Sequence, residues 1–486
     1  MMSRAHRQNL ARRTGSVFRT QLVVLLCLVT VFGAACGGGG AGSGRSTAGG
    51  PEATLRSQSG AEVTKSAQRY WDEGVAAFER AEAAGFQGPD CEEALESFQD
   101  AEEAQPGFGE AVYMQGLVQE RCVSPQVARG LYERALQVNP ALCGARAALG
   151  VLQLDARDWA GAEATFQTAI SNDPLCTEAY ANLAIVQRRK VASDPEALKN
   201  LRRALAINAQ YLPAFNEMAL FYLDAAQRNR KKLDLAEVVC SQAQKIDSNY
   251  APIYNTWGLI DLRRDKIIEA SAKFQKAFQL DPTMFEAYMN FGQITLGFRG
   301  YSDAKIAFER ALTLVPDSFE AQVGLGVALR GLEDNASAVA SYQKAMALRP
   351  ERAEPYYNLG VLYQDFQDGT AADMDQAERY FRDFLEKAKG EPRFVEAIQD
   401  VTRKCEPKRR RRRGKTAKCI AGRLQNIANY RQALREMQEI EALQRESEAA
   451  EAAMQEEAAP APSAGEDVGN ISGSGGGLEM DPYGAE

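Results

Sequence analysis

The stretch ALQVNP at 135–140 returns in altered form along the chain, as AISNDP at 169–174, AFQLDP at 277–282, ALTLVP at 311–316 and AMALRP at 345–350. Pro106, Pro140 and Pro174 are 34 residues apart, and so are Pro282, Pro316 and Pro350. Ahead of the prolines a second pattern keeps the same period: Ala94/Phe98/Ala101, Ala128/Tyr132/Ala135, Ala162/Phe166/Ala169, Ala270/Phe274/Ala277, Ala304/Phe308/Ala311 and Ala338/Tyr342/Ala345. Steps of three and four residues mark one face of an α-helix. Earlier in each unit stands a small residue: Gly116, Gly150, Ala184, Ala219, Gly258, Gly292, Gly326 or Gly360. A fixed period of this length marks stacked repeats, each burying its apolar face against its neighbours.

Two antiparallel helices approach closely where a small residue faces a bulky one, and a proline stops the second helix before the next unit begins. These columns resemble the tetratricopeptide repeat family. The resemblance implies an all-α, right-handed superhelical solenoid over 63–392, of about nine units: 64–106, 107–140, 141–174, 175–209, 210–248, 249–282, 283–316, 317–350 and 351–392. The first unit reads as having a weak first helix and a loop at GFQGPD. The fifth and ninth carry insertions, RNRKK and FQDGTAAD, and Ala209 and Ser248 stand where the period expects proline.

In that family the first helix of each unit lines the concave face. The position after the small residue then gives Leu117, Val151, Ile185, Leu220, Leu259, Gln293, Val327 and Val361. Neighbouring columns add Asn182, Asn290 and Asn358, and Tyr113, Asn216, Asn255 and Tyr357. An apolar seam flanked by asparagine amides suits a bound protein segment, because each amide both donates and accepts. The same residues equally suit packing within the array. The lysines with which some relatives clamp a terminal carboxylate are missing from these columns.

The N-terminal end points to a compartment. Arg4, Arg7, Arg12, Arg13 and Arg19 precede any acidic residue, and Leu22–Phe32 is an apolar run of 11 residues, too short to span a bilayer. GAAC at 33–36 and GGGGAGSG follow. This resembles a bacterial lipoprotein signal, which implies cleavage after residue 35, acylation of Cys36 as a membrane anchor, and a flexible tether over 36–62. Cleavage would take the net charge from -8 to -13. Glycine after the lipidated cysteine resembles the outer-membrane sorting pattern, with the protein on the periplasmic face and other envelope proteins as partners. The layout most resembles the tetratricopeptide lipoproteins of myxobacterial adventurous gliding machinery, with pilotins of secretins and outer-membrane assembly factors as alternatives.

Exported proteins keep disulfides. The register brings Cys91, opening a second helix, to Cys122, closing the next first helix. It places Cys143 and Cys176 at the starts of adjacent first helices, and puts Cys240 in the core as a free thiol. Cys405 and Cys419 flank a basic run, Lys408, Arg409, Arg410, Arg411, Arg412, Arg413, Lys415 and Lys418. Behind an export signal this loop, 405–419, would meet anionic lipid, lipopolysaccharide, cell wall or the chain's own acidic tail. Nucleic acid is not expected, and a nucleic-acid-binding regulator is the remote alternative.

The single histidine, His6, precedes the cleavage point, so histidine triads and histidine-containing zinc sites are excluded from the mature chain. No C-x2-C, P-loop or G-x-S-x-G motif is present. The expectation is a protein that is no enzyme and needs no cofactor or metal. Residues 393–404 read as a capping helix and 420–457 as an amphipathic helix with Ile420, Leu424, Ile427, Tyr430, Leu434, Met437, Ile440 and Leu443 on its packing face. Residues 458–486 read as a disordered acidic tail, with LEMDPYGAE as a candidate short docking motif.

Overall fold

The computed structural model describes residues 57, 61–86, 88–192, 194–366, 369–403 and 422–457, with the side chains of 451–457 left aside. Among these residues there are twenty α-helices and no β-strand. The first eighteen form nine antiparallel pairs: α1 Lys65–Ala83 with α2 Asp90–Ala104, α3 Gly109–Cys122 with α4 Pro125–Val138, α5 Cys143–Asp155 with α6 Trp159–Asn172, and α7 Thr177–Lys190 with α8 Pro195–Ile207. Then come α9 Leu212–Ala225 with α10 Lys232–Ile246, α11 Ala251–Arg263 with α12 Ile267–Leu280, α13 Phe285–Gly297 with α14 Tyr301–Leu314, α15 Phe319–Gly331 with α16 Asn335–Leu348, and α17 Glu354–Asp365 with α18 Ala371–Lys387. Each helix packs chiefly on its neighbours in sequence, as in a quasi-one-dimensional array.

The small-to-large pairing is direct. A methyl group built on Gly150 would lie 2.4 Å from Phe166 Cε1, and on Gly116 2.5 Å from Tyr132 Cε1. The same contact recurs at Gly258–Phe274, Gly292–Phe308, Gly326–Tyr342 and Gly360–Phe381. Gly74 meets Phe98 in the same way, so unit one follows the rule too. Its first helix is not weak: α1 runs 19 residues, is capped by the Thr64 hydroxyl accepting from Ala67 N–H, and buries Trp71 against Phe98. In units four and five the large residue shrinks to Leu201 and Cys240, and the small one grows to Ala184 and Ala219, all within one continuous core. In unit four the summed volume across the helix pair is thereby kept.

The turns between units have their own device. Asn139, Asp173 and Asp281 end their helices in extended backbone, and each side-chain oxygen accepts from the N–H two residues on. Asn208 and Asp247 do the same ahead of Ala209 and Ser248. These Asx turns explain how the period survives without proline at those two places.

Beyond the pairs, a 3-10 turn, Pro392–Phe394, leads into α19, Val395–Thr402, and then α20, Arg423–Glu457. α20 is 35 residues long, about 52 Å at 1.5 Å per residue. Only its beginning meets the array. Ile427 is buried and Leu424 and Tyr430 are partly so, in one cluster with Val361 and Val401. Met437, Ile440 and Leu443 are exposed. The expected packing face therefore serves as one for its first third only. Among the described residues no helix is long and apolar enough to cross a membrane.

Candidate functional site: the concave face

The first helices bring the candidate groove residues into columns, and burial divides them. Leu117, Ile185, Leu220, Leu259 and Val361 are buried, as are Asn182, Asn216 and Asn290. Tyr113, Val151, Asn255, Gln293, Val327, Tyr357 and Asn358 are half-buried. The amides are largely engaged with each other and with neighbouring first helices. Thr256 Oγ1 donates to Asn216 Oδ1 at 2.6 Å, and Asn290 Nδ2 donates to Asn255 Oδ1 at 2.9 Å. Arg330 reaches the Asn358 carbonyl at 3.3 Å. The asparagine column thus fastens one first helix to the next, and the apolar seam is mostly core between units. The physical reason is spacing: first helices of successive units lie near enough for a short amide to bridge them.

At the ninth unit the groove is closed. Tyr357 donates its hydroxyl to Asp400 Oδ2 at 2.9 Å, and Arg423 joins Asp400 at 2.6 Å and Asp365 at 2.8 Å. α19 and the start of α20 cover this position.

What the concave face still offers lies further along the first helices, at a column that the seam and amide positions do not include. Five places after the small residue stand Arg121, Asp155, Arg189, Asp224 and Arg263, alternating in sign. Arg188 sits beside this column in α7 and is held between Glu217 Oε2 and Asp224 Oδ2, each at 2.9 Å. That triad is well desolvated, with Glu217 3% exposed. Asp224 is thereby committed to Arg188. Arg263, half-buried, makes no ion pair or hydrogen bond among the described residues and feels Asp224 only at longer range. Burial lowers the pKa of both Arg189 and Arg263. Desolvation disfavours the charged form of each of these two guanidinium groups. The signal was present in the sequence as a fixed offset from Gly258 and its equivalents.

A second concavity, about 350 Å³, lies between units seven, eight and nine. Arg299, Tyr301, Val327, Arg330 and Phe366 line it, with Arg330 5.5 Å from the centre of the Phe366 ring. Val327, a seam residue, faces this space.

Cys91 and Cys122 are joined in a disulfide with Cα atoms 6.2 Å apart, tying unit one to unit two. Cys143 and Cys176 are joined likewise, Cα atoms 5.5 Å apart, tying unit three to unit four. Cys240 is a buried free thiol whose pKa burial raises, so it is not a ready nucleophile. Cys36, the basic loop and the Cys405–Cys419 pair lie outside the described residues.

Residues 147–211 match the family model described as tetratricopeptide repeat, and residues 328–365 one described as TPR repeat. Neither is a catalytic family. No curated protein matches the chain. Among solved structures, the APC/C hetero-tetramer Cut9–Hcn1 aligns at 13% identity over 64% of this chain, with TM-score 0.47. The alignment spans 55% of that protein, little more than half its length. TTC0263, a TPR protein of Thermus thermophilus, aligns at 22% identity over 38% of this chain and 97% of its own, with TM-score 0.35. YrrB, a TPR protein with an unusual peptide-binding site, aligns at 17% identity over 43% of this chain and 100% of its own, with TM-score 0.34. Residues 147–211 and 328–365 are tetratricopeptide repeats, and the helix pairs sharing their register make the array a tetratricopeptide-repeat solenoid.

Proposed function

We propose that this protein is a lipid-anchored scaffold of a bacterial envelope machine, holding an acidic segment of a partner protein in its concave groove. The observation that carries the partner's chemistry is Arg263, half-buried and without an ion pair among the described residues, next to an Asp224 already committed to Arg188. An incoming carboxylate would complete that pairing, and a charge-assisted hydrogen bond there is stronger than one in open water. The apolar run at Leu22–Phe32 and the GAAC stretch support the anchor at Cys36. The basic loop 405–419 would add a second attachment, to anionic lipid, lipopolysaccharide or cell wall.

The test of the groove is the double charge reversal Arg189→Glu/Arg263→Glu in tagged full-length protein. Quantitative recovery of envelope proteins should lose a defined partner that wild type retains, more so at low salt. Identical recovery would overturn the groove reading. Cys36→Ser should abolish incorporation of labelled fatty acid and release the protein from membranes. The narrower reading, a gliding-machine component, rests on overall layout. It requires that deletion abolish surface gliding and leave secretin multimers intact; the reverse outcome would make the protein a pilotin.

A further inference from the structure

Cys143, Cys176 and Glu178 bring three metal-ligating atoms within 4.8 Å of one another, and among the described residues no other set of His, Cys, Asp or Glu does so. Cys143 is the first residue of α5, Cys176 is the N-cap of α7, and Glu178 is the second residue of α7. Both sulfurs are buried, and a Glu178 carboxyl oxygen lies 3.2 Å from Cys143 Sγ. Around them is an apolar cluster of Ala162, Phe166, Leu183 and Val186. Glu178 has no ion pair among the described residues, so the array's own packing gives this acid no cation. The other disulfide differs, because Cys122 closes a helix and no such carboxylate stands beside the pair.

We infer that, when the Cys143–Cys176 disulfide is reduced, the two thiolates and the Glu178 carboxylate form a binding site for a borderline-soft divalent cation, zinc above all. The cation keeps units three and four stapled in place of the disulfide. Reduction by a dithiol transfers two electrons and two protons to the disulfide, giving two thiols and leaving the reductant as its own disulfide. Zinc then displaces the two thiol protons to solvent. Both cysteines sit at helix N-termini, where the aligned peptide dipoles favour thiolate. A tetrahedral zinc has Zn–S near 2.3 Å and Zn–O near 2.0–2.2 Å, which sets the sulfurs about 3.8 Å apart. Cα atoms 5.5 Å apart permit that separation without moving the helices. Three protein ligands leave the fourth position for water, the pattern of an open zinc site.

The test uses full-length protein reduced with a non-chelating phosphine, freed of reductant under argon, and titrated with zinc against a chromogenic chelator. Wild type should take up one equivalent more than Cys143→Ser, and Cys405→Ser/Cys419→Ser should keep that equivalent. Glu178→Gln leaves both cysteines and the oxidised staple intact, so it folds as wild type does, and it should weaken the same equivalent at least about tenfold, since losing even an outer-shell partner of a ligand costs about 10–100-fold. Cobalt in place of zinc should give a thiolate charge-transfer band that Cys143→Ser removes. Equal zinc uptake by wild type and Cys143→Ser, or unchanged affinity in Glu178→Gln, would overturn the proposal.

Discussion

At the scale of single residues, the array is governed by volume matching between one small and one large side chain. Gly150→Ala forces Phe166 aside by an ångström or so, because a Cβ there would lie 2.4 Å from the ring. The expected loss is about 1–3 kcal/mol, the usual cost of overpacking, read by urea unfolding. Phe166→Leu combined with Gly150→Ala copies the Leu201/Ala184 pairing of unit four and should recover part of it. A second residue-scale prediction concerns Glu286. Burial raises its carboxyl pKa to about 7 from 4.5. A raised pKa means the folded state binds the proton more tightly than the unfolded chain. Its stabilising contribution is full below pH 4.5 and is lost as pH rises towards 7. Glu286→Gln should therefore leave stability nearly unchanged at pH 4 and raise it at pH 8, on the order of 2 kcal/mol. Equal effects at both pH values would contradict the sign. The Gly/aromatic columns were legible in the sequence because the period exposes them. The Arg188–Glu217–Asp224 triad was not, since charged residues in a helical repeat read as a solvated face until the neighbouring helix is in place.

At the scale of elements, α20 shows what periodicity leaves open. The three- and four-residue steps from Leu424 to Leu443 define an apolar stripe, and the helix duly runs from Arg423 to Glu457. The steps do not say what the stripe meets. Arg423 is fixed by Asp365 and Asp400, Arg431 pairs with Asp375 and Glu378, and Tyr430 bonds the Gly369 carbonyl. Beyond Arg431 those anchors stop. Amide exchange in 426–431 should be slow and in 436–450 fast, and Arg423→Ala/Arg431→Ala should bring the first stretch to the rate of the second. Slow exchange throughout would mean that something covers Met437, Ile440 and Leu443. The groove shows the same limit. Leu220 and Asn216 belong to the right helix face by position, yet the adjacent first helix reaches them before any ligand does. Position along a helix is a sequence property; what lies across from it depends on the distance between units.

At the scale of the whole molecule, stability is local, because each unit leans on its neighbours and the two disulfides among the described residues sit between units one and two and units three and four. Closing 31 residues contributes about 3–4 kcal/mol in the chain-entropy model. Cys91→Ser should therefore speed proteolysis and amide exchange in α1 and α2 while leaving α12 to α16 unchanged; a uniform loss would mean the array unfolds as one body. The nine-pair layout follows from the 34-residue period, and the Asx turns at Asn208 and Asp247 show why two missing prolines do not break it. The central claim is that the concave face, not the outer one, holds the partner. It is tested most directly by placing a photo-cross-linking amino acid at Val151 or Gln293, on first helices, and at the exposed Ile268 or Val238, on second helices, in living cells. The account predicts a discrete cross-linked protein from the first two positions and none from the others. Adducts from Ile268 and Val238 with none from Val151 and Gln293 would contradict it.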